Sequence, residues 1–437
     1  MQLFRAYAKD MSALESMIAS NPSGEVPMHP ALLYELPAPS TAIVDRKQHV
    51  RAYPSSASSL SAAGTKTCRI RIGGKDWVDP SSIRVQYTIT NLTADKYVRP
   101  VTGPWGLWQQ LYCRSNGVEI DNIPYYNRWH NQYGWLHLDR ESQWGSAGIE
   151  GFHLSKPTTK NPFKPEVGQL GGNSSITVMH RLYTSLIGSG KMLPVKYAPL
   201  EIELSMVNDL NDFLLPAGDT GTQSFVVTDV QILMDCVTLD EAVLSSFYSA
   251  MLKNKVLSIP VYTCYQIAQQ LPANATTYAF SSVRAFSRLA QIWLTFRKTG
   301  PRSTEFLCPG ALPGADDPAD LNLLTTTVPT ARLSIGPHQW PEGQPVSSMA
   351  EYYMMFSKAL GAQPNLTRRE FEHDAFTIVW DIKKNPGDPT SAISTRSGDL
   401  VRVELTNMVA NQATECWMTL ISFGVVAIRE SGVTLLT

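Results

Sequence analysis

Charge is what this sequence has least of. Asp, Glu, Lys and Arg make up 17% of its 437 residues, against about a quarter in an ordinary soluble domain. Lys and Arg (37) nearly balance Asp and Glu (38), leaving a formal net charge of -1. No long-range positive field gathers a polyanion. The first fifty residues hold four basic and five acidic side chains, so no basic arm for a nucleic acid is present there. Sequence-specific nucleic-acid binding is therefore not expected. Low charge with abundant Pro (29) and Gly (28) suits a turn-rich β chain that buries surface against other subunits.

Other absences narrow the chemistry. The six cysteines (Cys68, Cys113, Cys236, Cys264, Cys308, Cys416) show no CxxC spacing, which argues against a zinc ribbon or a dithiol redox pair and for small buried core residues. No charged n-region followed by an apolar stretch opens the chain, so synthesis in the cytoplasm or nucleus is expected. The longest apolar stretch, Trp417 to Ile428, is 12 residues, short of the ~20 that a membrane helix needs. Sequons at Asn91, Asn173, Asn274 and Asn365 then read as turn chemistry. Among the eight histidines no HxH or HExxH pair occurs. L186-I-G-S-G-K-M192 departs from a phosphate loop at Ser185 and Met192 and reads as a turn. The acidic run G314-A-D-D-P-A-D320 reads as an exposed loop. No GxSxG elbow accompanies a serine. No enzyme, metal or cofactor is expected.

What the chain does have is alternation. T67-C-R-I-R-I72, I83-R-V-Q-Y-T-I89 and L200-E-I-E-L-S-M206 alternate apolar and polar residues as half-buried strands do. L107-W-Q-Q-L-Y-C113, S175-I-T-V-M179 and F225 to T238 are further strands, separated by turn signals such as S115-N-G117. A helix-like linker, D240 to N254, leads to a second set: V256 to C264, R288 to F296, A375 to I382, L400 to L405 and E415 to I428. S347-S-M-A-E-Y-Y-M-M-F-S-K-A-L-G361 interrupts that set as a helix with a Ser-x-x-Ala-Glu start. Two local matches support a duplication: S81-S-I-R-V85 with S281-S-V-R-A285, and L200-E-I-E-L-S-M206 with V401-R-V-E-L-T-N-M408, both offset by about 200 residues.

This predicts an all-β chain of two tandem eight-stranded jelly rolls, since immunoglobulin-type sandwiches run to about 100 residues with shorter loops. The expected division is an arm over residues 1–40, a first roll over 41–240, a linker over 241–255 and a second roll over 256–437. In the arm, Leu3, Tyr7, Met11, Leu14 and Ile18 fall at helical spacing, an amphipathic helix followed by the Pro-containing hinge Asn21 to Pro30. With little of its own to pack on, it is a candidate contact with a neighbour.

Two regions point to a family. G106-L-W-Q-Q-L-Y-C-R-S-N-G-V-E-I-D121, followed by I123-P-Y-Y-N-R-W-H-N-Q-Y-G-W135, resembles the first roll of double jelly-roll major capsid proteins of the adenovirus, polinton and virophage lineage. F376-T-I-V-W-D-I-K-K-N-P386 and S397-G-D-L-V-R-V-E-L-T406 are similar to the last strands of its second roll. The resemblance spans most of residues 60 to 437 in pattern and order. It implies a homotrimer whose six rolls form a pseudo-hexagonal capsomer, tiling an icosahedral shell around double-stranded DNA. Penton proteins, minor capsid proteins and often an internal membrane are the partners it implies, with no catalytic residue. Alternatives are a tandem β-sandwich that binds or cleaves carbohydrate, and a minor capsid protein.

One stretch, N127-R-W-H-N-Q-Y-G-W-L-H-L-D-R-E-S142, has the look of a chemical site. Trp129, Tyr133, Leu136 and Arg140 form one stripe of a helix. His130 and His137 are two turns apart, whereas residues that share an ion on a helix sit three or four apart. Trp129, His130, Tyr133, Leu136 and His137 are therefore expected to form a structural helix or a subunit interface, with the histidines at its polar edges.

Overall fold

The structure is a computed structural model. It describes residues 43–437 except 57–58, 99, 101–102, 136–152, 155–165, 168–169, 215–221, 223, 253–255, 273–274, 298–327, 361–370, 372–375, 386–390, 409–414, 430–431 and 437. The expected arm helix, the stretch from Leu136 through Arg140, Cys308, the acidic run at 314–320 and two of the sequons lie outside the described residues.

Residues 43 to 239 carry eleven described strands: β1 Ile43–Ala52, β2 Ser59–Ser61, β3 Thr67–Ile72, β4 Trp77–Asn91, β5 Trp108–Ser115, β6 Val118–Ile123, β7 His153–Leu154, β8 Glu166–Val167, β9 Ser175–Arg181, β10 Leu200–Met206 and β11 Phe225–Leu239. They form one sheet ordered β1-β11-β4-β9, with β2 also on β11, and a second ordered β3-β10-β5-β6. β7 and β8 pair only with each other. Residues 257 to 436 carry β12 Leu257–Gln270, β13 Tyr278–Ser282, β14 Leu289–Arg297, β15 Thr330–Ile335, β16 His338–Trp340, β17 Thr377–Asp381, β18 Val401–Thr406, β19 Glu415–Arg429 and β20 Gly432–Leu436. Their sheets are β12-β19-β14-β17, with β20 added on β19, and β13-β18-β15-β16. Strand for strand the two orders are the same. Both are the antiparallel double-sheet plan of a jelly roll.

That equivalence confirms one internal match and corrects the other. β10 and β18 hold the same place, so L200-E-I-E-L-S-M206 and V401-R-V-E-L-T-N-M408 are true counterparts. Ser81 to Val85 lies in β4, whose counterpart is β14, whereas Ser281 ends β13, the counterpart of β3. The match of Ser81 to Val85 with Ser281 to Ala285 is a coincidence of alternating strand pattern, in spite of its shared offset.

Local chemistry accounts for the strands. β10 alternates buried and half-buried residues along its whole length, and β3 does so with Cys68, Ile70 and Ile72 inward. The β5–β6 hairpin turns at Asn116 and Gly117 with φ of 49° and 80°, the left-handed pair that a two-residue type I′ turn requires and that Asn-Gly accepts most readily. Trp108 and Tyr87 are fully buried and meet edge to face at 5.3 Å, with Tyr87 Oη donating to the Pro104 carbonyl at 2.6 Å. Each such ring contributes roughly 1.5–3 kcal/mol by burial. The five described cysteines are all buried and free.

The sequence reading missed β1 because its charged side chains face solvent; backbone pairing with β11 holds it, together with Arg46 and the His49 amide on Asp235. β2 is only three residues long, Ser59–Ser61, in a Ser- and Ala-rich stretch with no strand alternation. Between the strand sets runs α2, Glu241–Leu252. One helix sits at the same topological place in each roll, after the fourth strand of the second sheet: α1, Tyr126–Trp129, continuing into a π-helical turn His130–Trp135, follows β6, and α3, Met349–Leu360, follows β16. Both rolls belong to one compact unit, Val44–Thr437.

Candidate functional site: the seam between the rolls

Every described strand residue of β19 except Val425 and Arg429 is buried, on both faces. A strand with one side on its own sandwich can be dry on the other only if something else covers it. The cover is the first roll. β12 and β20 lie against β6, and Tyr125, α1 and the residues after β9 complete the contact.

At one end of the seam, where β12 and β14 finish and β19 begins, are four charges. Arg128 on α1 bonds Asp212 at 2.9 Å; Arg297, the last residue of β14, bonds the other Asp212 oxygen at 3.3 Å and Glu415 at 2.5 Å. Gln270 donates to the second Glu415 oxygen at 3.0 Å. Each roll thus supplies one cation and one anion. Trp417 lies under both guanidinium groups, 4.3 Å from Arg128 and 5.2 Å from Arg297, and Tyr125 meets it edge on at 3.9 Å. Desolvation, with Arg297 beside it, pulls the Arg128 guanidinium down to about 10, so it stays charged at neutral pH. Burial pushes Glu415 upward, but the bonds from Arg297 and Gln270 and the nearby cations outweigh it and leave the carboxyl below its ordinary value. Among the described residues Arg128 Nε and Nη1 have no hydrogen-bond partner. Loss of one member of the group strands a buried charge, at about 3–5 kcal/mol.

The stretch that looked like a chemical site is part of the same seam. Trp129 is buried and stacks on half-buried Tyr133 at 4.5 Å, as their four-residue spacing predicts. His130 is not a polar edge: it is 2% exposed, stacks on Trp105 at 4.4 Å and bonds the Arg181 carbonyl at 3.2 Å. The π-helical turn beginning there places it between Trp105, Tyr126, Tyr183 and His180. Gln132, also buried, accepts from Thr419 of β19 at 3.4 Å. Leu136 and His137 lie outside the described residues, as do Leu3, Tyr7, Met11, Leu14 and Ile18. Among the described residues no three His, Cys, Asp or Glu side chains converge on a metal-sized site.

Arg128, Asp212, Arg297, Glu415 and Trp417 were not singled out from the sequence. A signal was there: Arg297 and Glu415 are lone charges of opposite sign ending two apolar strands, and the register pairs them directly.

Farther along β12 and β19, these strands together with β6, α1 and the residues after β9 enclose a cleft of about 410 Å³. Asp121 lines it, 2% exposed, with Oδ2 accepting from the Ser185 amide at 2.7 Å and the Ser185 hydroxyl at 2.6 Å. Desolvation raises its carboxyl to about 6 in spite of those bonds.

No protein-family model matches the sequence, and no curated protein matches it. Solved structures do. A chain of the PBCV-1 virus capsid superimposes with a TM-score of 0.59 at 10% identity, covering 90% of this chain and 95% of that one. The chain is a double jelly roll. A chain of the Sputnik virophage shares this double jelly-roll fold with a TM-score of 0.59 at 11% identity, covering 94% and 92%. The Faustovirus major capsid protein matches at 0.57 and 8% identity, covering 97% and 98%. At these identities the likeness is one of fold, and it extends through both rolls.

Proposed function

We propose that this chain is a structural major capsid protein: three copies, six rolls, form a pseudo-hexagonal capsomer, and capsomers tile an icosahedral shell around double-stranded DNA. The observation that carries this is the likeness over nine-tenths or more of both chains to proteins described as virus capsid and major capsid protein. The seam supports it physically. Two rolls fixed by a dry charge group behave as one rigid block, and a block of two like units is what threefold symmetry needs to imitate a hexagon.

In this reading the protein acts through interfaces and not catalysis, and it resides in the virion. Apolar roll flanks bury an obligate trimer contact, and weaker polar edges join capsomers so that assembly errors can be undone. The arm with Leu3, Tyr7, Met11, Leu14 and Ile18 clamps a neighbouring capsomer, a minor protein or a membrane face, and penton and minor capsid proteins close the shell. Trp129, His130 and Tyr133 belong to the structural helix. The carbohydrate alternative requires a platform of exposed aromatic rings; the exposed tyrosines among the described residues, Tyr53, Tyr97, Tyr248 and Tyr262, sit on four separate elements. Electron microscopy of the expressed protein with and without residues 1–30 tests the proposal. Pseudo-hexagonal trimers in both samples and shells only with the arm are expected; trimers lost with the arm would overturn its role, and monomers in both samples would overturn the whole reading.

A further inference from the structure

The cleft beside the seam holds a combination that the packing of two rolls does not need. Two aromatic walls face into it. One is the Trp129–Tyr133 stack with Tyr183; the other is Tyr262 and Phe423, in edge contact at 5.7 Å. Asp121 lines the same cleft. Both of its described hydrogen bonds fall on Oδ2 and come from Ser185, which leaves Oδ1 with none among the described residues. Among the described residues the one charged group acting on Asp121 is Glu119, of like sign. The other charged group lining the cleft, Lys383, has its ammonium 3.2 Å from Asp381. Among the described residues Asp121 is thus a buried anion without a cation, in a hollow of about 410 Å³ lined by aromatic side chains.

The geometry points to a binding site for a small organic ammonium ion in the inter-roll cleft, its cationic head on Asp121 Oδ1 and its body between the Trp129–Tyr133 and Tyr262–Phe423 walls. A carboxylate with aromatic faces is how proteins hold amine and quaternary ammonium groups, because ring quadrupoles and a buried anion both attract a cation that is weakly hydrated. A neutral molecule of the same shape gains the apolar contacts alone. A metal ion suits the place poorly, since one carboxylate and a serine hydroxyl leave most of its coordination unfilled. The site depends on neither the trimer nor the shell. Its occupant would bridge β6 and α1 of the first roll to β12 and β19 of the second and stiffen the seam.

The test uses the full chain and three probes of one shape: benzylammonium, benzyl alcohol and benzoate, titrated calorimetrically at pH 7.5. Benzylammonium should bind once per chain and at least about tenfold more tightly than benzyl alcohol, with benzoate weaker still. Asp121→Asn should remove that preference by weakening the ammonium and leaving the alcohol unchanged. Because a buried substitution can impair folding, Tyr262→Ala, at a side chain 40% exposed, is the second variant and should weaken both ammonium and alcohol. Equal affinity for ammonium and alcohol, no binding of benzylammonium, or a Tyr262→Ala protein that binds it unchanged would each overturn the proposal.

Discussion

The helices α1 and α3 hold the same place in the two rolls and do opposite work. α3 is an ordinary amphipathic helix. Met349, Tyr352 and Phe356 face its own sheet, Met354 is 49% exposed, and a reciprocal cap starts it: Glu351 accepts from the Ser347 and Ser348 amides while its own amide donates to Ser348 Oγ. α1 has no side-chain cap, and Tyr126, Asn127, Arg128, Trp129, His130 and Gln132 are all buried. The difference lies in what covers them: α3 has solvent on its far side, α1 has the second roll. The shared plan places one helix in each roll, and the seam makes one of the two core.

Breaking the seam should have the largest effect. Arg297→Met leaves Glu415 and Asp212 short of a partner and should cost about 3–5 kcal/mol, read by denaturant unfolding, and should split one cooperative transition into two. Replacing Arg297 and Glu415 together should cost less than the sum of the single changes; additivity would mean that the pair is not coupled.

Cutting each helix back sharpens the comparison. Trp129→Ala and Phe356→Ala should each cost roughly 3–5 kcal/mol. Trp129→Ala should release both rolls, whereas Phe356→Ala should loosen the second alone, with hydrogen exchange by segment telling the two apart.

Acidity separates the rolls in another way, because the first holds His180 and Asp121, whose burial brings their titration to about 4 and about 6. Burial pushes His180 down to about 4, so the unfolded chain takes up its proton first, and this group's contribution is complete above the ordinary histidine value and lost as pH falls towards 4. Asp121 runs the other way: raised to about 6, its carboxyl protonates first in the folded chain, so its burial opposes folding at neutral pH and that cost fades as pH falls through 6. Asp121→Asn should therefore stabilise the first roll most above pH 6, by at most about 3 kcal/mol, which is two pKa units at 1.36 kcal/mol each, less the weakened Ser185 bonds. Below pH 4 the gain should vanish, and melting curves across that range decide it.

The smallest effect belongs to the cap. Ser348→Ala should cost about 1 kcal/mol and raise exchange only in the first turn of α3.

These contrasts also say what a sequence can disclose. Strand alternation, the Asn-Gly hairpin and the start of α3 follow from local chemistry, and all are legible. β10 and β18 could be matched because both bury one face in the same way. What was not legible needed the partner element: charged β1 is a strand only because β11 offers it an edge, His130 is buried only because Trp105 and β9 surround it, and the charges of Arg297 and Glu415 mean little until β14 and β19 are paired. The expected arm lies outside the described residues, and its role rests on its spacing.

The central claim is that this double jelly roll is one third of a capsomer. Light scattering on the size-separated full chain tests it most directly. The account predicts a stable mass of about 145 kDa, three times the 48.3 kDa of one chain, unchanged on dilution to nanomolar concentration. A 48.3 kDa monomer would contradict it.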